Sequence, residues 1–278
     1  MSRTRQQRRL RRVVAERAWN NHLTGAFKVA RGLKNSPAPQ TRGFSMDRIY
    51  CGPPPLPDQL WTSWNFDPPL LVALAVMAWL LRRNPAGIAA VFVLVVAFVS
   101  PLCALSAALF SARVVHHVLL VAVAAPLLGW VFRGRFRSGP GLSFGVATAV
   151  LWGWHLPAAY DAALSHVAVY WVMQISLLAS AVWFWRVVFA RDGAPVLQLV
   201  YIIANFGQMG LLGAILTFAP SALYDVHAVA PFDWGMSPLR DQQLGGLIMW
   251  VPAGLPYAVA AVVMARQSWT RLRGDLSW

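Results

Sequence analysis

Seven long runs of apolar residues, separated by short polar segments, set the pattern of this chain. They cover approximately residues 68–81, 86–109, 114–132, 142–156, 167–189, 196–218 and 244–264. An α-helix of roughly 20 apolar residues spans the hydrocarbon core of a bilayer. The runs lack the polar alternation that lumen-facing positions of a membrane β-barrel require. The pattern therefore predicts an all-α membrane protein, a bundle of about seven transmembrane helices between residues 68 and 266.

The amino-acid composition agrees with a lipid-embedded protein. Hydrophobic residues make up 58% of the chain, charged residues only 12%, and the mean hydropathy is +0.51. Soluble domains carry about twice that share of charged residues. The composition therefore excludes an ordinary soluble domain and indicates the lipid bilayer as a partner.

Arginine is distributed unequally between the two sets of loops that join the runs. One set holds Arg82, Arg83, Arg133, Arg135, Arg137, Arg186, Arg191, Arg266, Arg271 and Arg273, whereas the other holds only Arg113 and Arg240. Cytoplasmic loops retain Lys and Arg. We therefore predict that the carboxyl-terminal tail, 267–278, is cytoplasmic. The amino-terminal side of the first span, with the entry segment 46–67, is then predicted to lie outside.

The first 45 residues do not fit this topology, because they are rich in arginine and yet precede an extracytoplasmic segment. They contain no apolar stretch of the kind that a signal peptide requires, and no nucleic-acid-binding motif. We therefore predict no nucleic-acid partner. Two interpretations of residues 1–45 remain, namely that translation begins at Met46 or that the segment is a disordered tail.

Polar side chains gather at the predicted extracytoplasmic ends of the spans. Five of the six histidines lie there: His116, His117, His155, His166 and His227. Arg113 precedes His117 by one helical turn, Trp154 adjoins His155, and Met173 shares a helical stripe with His166. Because polar groups at membrane depth are costly and often functional, these residues predict a polar site that is able to bind a metal.

Asp241 and Gln242 lie at the outer boundary of the seventh run. The carboxylate of Asp241 is expected to pair with an arginine or with a protonated histidine. The alternative is that it caps the start of its own helix, where free backbone N–H groups bind a carboxylate.

The two cysteines give little support to a thiolate site. Cys51 precedes the first run and Cys103 lies inside the second, at the predicted depth of the membrane. The sequence therefore predicts no disulfide between them. Since the chain has no CxxC motif, imidazole and thioether groups would have to supply most ligands of any metal.

Several other classes of membrane protein are disfavoured. A retinal protein needs a lysine within a span, but the only lysines are Lys28 and Lys34. A transporter would carry charged groups near the bilayer midplane, and an enzyme would show a nucleophile–base pair or an HExxH motif. We therefore predict that the protein is not an enzyme.

Three sequence strings resemble the CtaG-like cytochrome c oxidase assembly factors, a multi-span membrane family. They are SARVVHHVLL at 111–120 with APLL at 125–128, WHLP at 154–157, and DQQLGG at 241–246. The entry WNFDP at 64–68 is also similar, and the resemblance covers about residues 60–266. Two departures stand out. Arg113 occupies the first position of a family His-x-x-x-His that ends at His117, and Met173-Gln174 stands where relatives tend to carry a further histidine.

The resemblance implies a seven-span factor that matures a heme–copper oxidase at the outer face of a bacterial plasma membrane. Oxidase subunits would be its partners and Cu(I) its cargo, because neutral imidazole and thioether groups suit Cu(I). The candidate ligands are His117 and His155, with His116, His166 and Met173 in addition. Asp241, Gln242, Arg113 and Trp154 are expected to orient a ligand or contact the partner. The alternatives are heme held between His117 and His155, or a scaffold that binds an oxidase subunit without metal.

Overall fold

The computed structural model describes residues 50–134, 139–190 and 193–275, so the predicted segment 1–45 and a start at Met46 lie outside the described residues. Within these ranges the chain forms helices and no strand. The helices are α1 Pro68–Leu81, α2 Pro85–Phe98, α3 Leu102–Ala108, α4 Phe110–Val118, α5 Ala125–Val131, α6 Pro140–Trp154, α7 Pro157–Ser165, α8 Val167–Val188, α9 Pro195–Thr217, α10 Pro238–Trp250 and α11 Gly254–Asp275. A π-helix, Leu119–Ala124, joins α4 to α5, and short 3-10 turns occur at Leu60–Thr62, Asp225–His227 and Ala230–Trp234.

The all-helical prediction is confirmed for these residues, and several of the helices are long enough to cross a bilayer. Four segments are long and apolar enough: Phe110–Val131, Val167–Val188, Pro195–Thr217 and Pro238–Arg266. Helices α2 and α3 form a fifth if they count as one span bent by 45°. The first and fourth predicted runs form helices of 14 and 15 residues, which is short for a perpendicular span. The described chain thus has four or five such spans, and the count of seven stays a prediction.

Prolines set where most helices begin. Six of them occupy the first position of a helix: Pro68, Pro85, Pro140, Pro157, Pro195 and Pro238. Proline is tolerated there because the first N–H groups of a helix have no intrahelical acceptor. Pro157 thus opens α7, a nine-residue helix that the hydrophobic pattern does not predict.

The span from Phe110 to Val131 widens into a π-helix at Leu119, two residues after His117. Pro126 follows in the first turn of α5. Its missing N–H removes the bond that an α-helix would make to the carbonyl four residues earlier. The π-helix absorbs this defect without ending the span.

Glycines let α10 pack closely against its two neighbours. A Cβ on Gly245 would lie 2.6 Å from the Phe110 ring of α4, and one on Gly213 of α9 would lie 2.7 Å from the Gly246 carbonyl oxygen. Neither distance is possible for a real side chain, so both contacts require glycine. As a result α10 sits tightly between α4 and α9.

The prediction that no disulfide forms is wrong. Cys51 and Cys103 are joined by a disulfide, with their Cα atoms 5.4 Å apart. The reason is the bend between α2 and α3, which brings Cys103 next to the entry segment instead of deep inside a straight span. The backbone N–H of Asn65 also donates to the Val99 carbonyl at this bend, at 2.9 Å. The disulfide and this bond tie the entry segment to the helix bundle.

Candidate functional site

Two of the predicted ligands, His117 and His155, lie side by side. His117 is in the last turn of α4 and His155 caps the end of α6, with their ring centroids 6.3 Å apart. His116 neighbours His117 at 5.7 Å between ring centroids and places its other side against Phe98. All three histidines are buried.

The hydrogen bonding of these imidazoles leaves ring nitrogens available. Nδ1 of His155 lies 2.7 Å from the Leu151 carbonyl oxygen, so Nδ1 carries the proton and Nε2 has a free lone pair. No hydrogen-bond partner among the described residues reaches either ring nitrogen of His116 or His117. A buried polar atom without a partner costs free energy. An ion or ligand bound to a ring nitrogen of His117 would remove part of that cost.

A small cavity lies between His117 and His155. Its volume is about 10 Å³, which is close to the minimum for one water molecule or one ion of similar size. The residues that line it are Val114, His117, Val118, Val121, Leu151, His155, Met209 and Met249. The cavity therefore presents two imidazoles and two thioethers within an otherwise aliphatic wall.

Met209 and Met249 are the cavity residues that the sequence reasoning missed. Met209 lies one turn before Gly213 on α9, and Met249 lies three residues after Gly246 on α10. Because residues three or four apart share a helix face, the two glycines mark the face on which both methionines lie. The spacing of each methionine from a glycine on the same helix was therefore the feature of the sequence that could have predicted their position.

The other predicted ligands lie elsewhere. Met173 is fully buried but does not line the cavity, and His166 is exposed with Nδ1 3.3 Å from the Ala162 carbonyl oxygen. His227 receives a hydrogen bond from the Tyr160 hydroxyl at 2.8 Å and donates from Nδ1 to the Ala108 carbonyl oxygen. In the described part of the chain, no three His, Cys, Asp or Glu side chains form a metal-binding group.

Arg113 is fully buried and does not line the cavity. Its Nε–H donates to the Ser106 carbonyl oxygen at 3.2 Å, and its guanidinium carbon lies 5.3 Å from the centre of the Tyr170 ring. This arginine thus occupies the junction of α3, α4 and α8. Trp154 also serves packing, because its indole N–H donates to the Ser176 hydroxyl of α8 at 2.8 Å.

Asp241 stabilises a different helix from the one that carries it. Its carboxylate accepts hydrogen bonds from the backbone N–H groups of Phe110, at 2.6 Å, and Ser111, at 3.1 Å. The Ser111 hydroxyl donates to the same carboxylate. In the described residues no hydrogen bond joins Asp241 to a histidine, and Ser237 caps α10 itself. The carboxylate thus caps Phe110 and Ser111 at the start of α4, five to seven residues before the two histidines.

Gln242 holds the end of α9 and the loop that follows it. Its side-chain oxygen accepts from the Leu223 N–H at 2.7 Å, and its amide nitrogen donates to the carbonyl oxygens of Leu216 and Ser221. Four residues of the DQQLGG string thus have a structural role, namely Asp241, Gln242, Gly245 and Gly246. Each of these four residues fixes α10 against α4, α9 or the loop between α9 and α10.

The loop histidine, His227, is held neutral. Burial, with a further contribution from the positive charge of Arg113, lowers the pKa of His227 to about 3. Burial likewise raises the pKa of its partner Tyr160. This pair is a satisfied structural contact between α7 and the loop, and it leaves no imidazole nitrogen for a metal.

The comparison with protein families gives one match. Residues 129–271, just over half of the 278-residue chain, match the model of the cytochrome c oxidase caa3 assembly factors. No curated protein and no solved structure matches the chain.

Proposed function

Because the chain belongs to the cytochrome c oxidase caa3 assembly factor family, we propose that it binds Cu(I) between His117 and His155 and delivers it to an oxidase subunit. A family of assembly factors indicates an interaction with the oxidase and a role other than catalysis. The long apolar helices support a membrane location. Beyond the family, we propose Cu(I) as the cargo, His117 and His155 as its ligands, and the extracytoplasmic face of the membrane as the place where the protein acts.

One observation carries the proposal: two buried imidazoles with free ring nitrogens flank a cavity of about 10 Å³. Imidazole nitrogen is a good ligand for copper. In His155 the second ring nitrogen is bound to a backbone carbonyl, the arrangement that commonly orients a metal-binding histidine. His117 has no competing hydrogen bond to break before it binds the ion.

The size of the cavity favours an ion over heme. A porphyrin ring needs a pocket of several hundred cubic ångströms, on the scale of small-molecule sites in general. The space between His117 and His155 is about 10 Å³. This small volume therefore supports copper more than heme held between the two histidines.

The extracytoplasmic orientation rests on two independent features. Arginine is concentrated on the opposite side of the predicted spans. The Cys51–Cys103 disulfide is of the kind that persists in oxidising compartments such as the bacterial periplasm. Both features support an entry segment that faces outward. We therefore propose that the chain is a seven-span protein of the bacterial plasma membrane, with the copper site near the outer side.

Complementation of a strain that lacks the protein tests this function. The wild-type chain and a His166→Ala variant should restore caa3-type oxidase activity and the copper content of the purified oxidase. A His117→Ala/His155→Ala variant, present in the membrane at the same level, should restore neither. If the double variant restores a copper-replete oxidase, the protein acts as a scaffold and the copper proposal fails.

A further inference from the structure

We propose that Met209 and Met249 complete a site of two imidazoles and two thioethers that selects Cu(I) over Cu²⁺ and Zn²⁺. This rests on the proposed function, since it concerns the same cavity. It differs from the ligand set expected from the sequence, in which Met173 supplies the sulfur.

The packing of α9 against α10 places both methionines at the cavity. A Cβ on Gly213 would lie 2.9 Å from the Cβ of Met249, so α9 contacts that methionine directly. Met209 lies one turn earlier on α9, on the same face as Gly213. Both methionines are almost completely buried, and both line the cavity with His117 and His155.

The lining carries four neutral donor groups and no carboxylate. Thioether sulfur is a soft ligand that prefers Cu(I), whereas Zn²⁺ and Cu²⁺ are usually bound with the help of harder or anionic ligands. A buried divalent ion would carry two uncompensated charges in an aliphatic environment, and such burial is strongly unfavourable. A monovalent soft ion carries half that charge and gains both sulfur ligands.

Met173 offers a matched comparison within the same bundle. It is as deeply buried as Met209 and Met249, but it lies on α8 and is not part of the cavity lining. Replacing methionine by leucine conserves volume and usually costs little stability. The same substitution at the three positions therefore separates loss of a ligand from loss of packing.

The test is anaerobic Cu(I) competition between the purified full-length protein and a chromophoric Cu(I) chelator. The Met209→Leu and Met249→Leu variants should each bind Cu(I) at least about tenfold more weakly, because even residues that only support a ligand cost roughly 10- to 100-fold. Met173→Leu should match the wild type, and excess Zn²⁺ should not displace Cu(I). Circular dichroism of each variant verifies that it is folded.

Two failures are distinguishable. If the wild type binds Cu(I) and the Met209→Leu/Met249→Leu double variant binds it equally well, the thioether ligands are refuted and the histidine site stands. Displacement of Cu(I) by Zn²⁺ would refute the selectivity. If the wild type binds no Cu(I), the proposed function itself fails.

Discussion

Asp241 of α10 accepts hydrogen bonds from both the backbone N–H and the hydroxyl of Ser111, in the first turn of α4. The first N–H groups of a helix have no intrahelical acceptor, and a carboxylate both bonds them and interacts favourably with the helix dipole. The helix that carries His116 and His117 is thus fixed at its start by a residue about 130 positions away. This cross-helix cap fixes α4, which carries His117, against α10, which carries Met249.

Replacing Asp241 by alanine should destabilise the protein by about 1–3 kcal/mol, because buried donors at the start of α4 lose their acceptor. Thermal unfolding in detergent measures the effect. Asp58→Asn is the matched control, since Asp58 is exposed and should change stability by less than about 0.5 kcal/mol. Equal melting temperatures for Asp241→Ala and the wild type would contradict the role assigned to Asp241.

Alanine at Gly246 should also be destabilising. A Cβ there would lie 2.5 Å from the Gly213 carbonyl oxygen, so α9 and α10 must separate, and overpacking of this kind costs about 1–3 kcal/mol. Gly207→Ala is the control, because nothing lies within 4 Å of a Cβ at Gly207, in the middle of α9. That variant should be neutral or more stable by up to about 1 kcal/mol. A Gly246→Ala protein as stable as Gly207→Ala would refute the close contact.

Lowering the pH should reduce the free energy of unfolding, because His227 is buried in its neutral form. Its pKa is lowered to about 3 in the fold, mainly by burial, whereas an unfolded histidine titrates near 6.5. Between these values the unfolded chain binds the extra proton, so stability falls as the pH decreases from about 6.5 toward 3, by about 1.4 kcal/mol per pH unit. Above about pH 6.5 both states are neutral and the penalty vanishes.

The comparison of wild type with His227→Gln isolates this contribution. Melting temperatures measured from pH 4.5 to 7.5 should fall less steeply toward acid for the variant. Asp161, in the same loop contact, has the opposite sign: burial raises its pKa above the usual value of an aspartate, so the stability that it contributes is lost as the pH rises through the raised pKa. Parallel curves for wild type and His227→Gln would contradict the prediction.

Reduction of the Cys51–Cys103 disulfide should lower the melting temperature. In the chain-entropy account a bond between residues 52 positions apart is worth up to about 4 kcal/mol. A membrane-embedded chain has fewer unfolded conformations to restrict, so we expect the lower half of that range. The chain has only these two cysteines. The Cys51→Ser/Cys103→Ser variant should therefore melt at one temperature with or without reductant, and reductant-insensitive wild-type protein would refute the bond.

The presence and approximate bounds of the helices were predictable from the sequence, because the length of an apolar run and the position of a proline are local signals. The fifth run was predicted at 167–189 and forms Val167–Val188, and the sixth was predicted at 196–218 and forms Pro195–Thr217. The bend between α2 and α3 was missed because the hydropathy continues across it. Pro101, at the break, was the available signal.

The pairing of His117 with His155 agrees with expectation because both were placed at the same depth on neighbouring spans. Asp241 and the methionines were harder to place. The partner of Asp241 is a backbone about 130 residues earlier, and Met209 and Met249 face the cavity only because α9 and α10 touch through glycine. Contacts of this kind depend on how helices pack, and the hydrophobic pattern of one helix does not contain that information.

X-ray absorption spectroscopy at the copper edge of the Cu(I)-loaded, desalted protein tests the central claim most directly. The account predicts a low-coordinate Cu(I) with imidazole nitrogen and thioether sulfur as neighbours. The imidazole signal should be lost in His117→Ala/His155→Ala and retained in His166→Ala. Wild-type protein that retains no copper after desalting, or copper without imidazole neighbours, would contradict it.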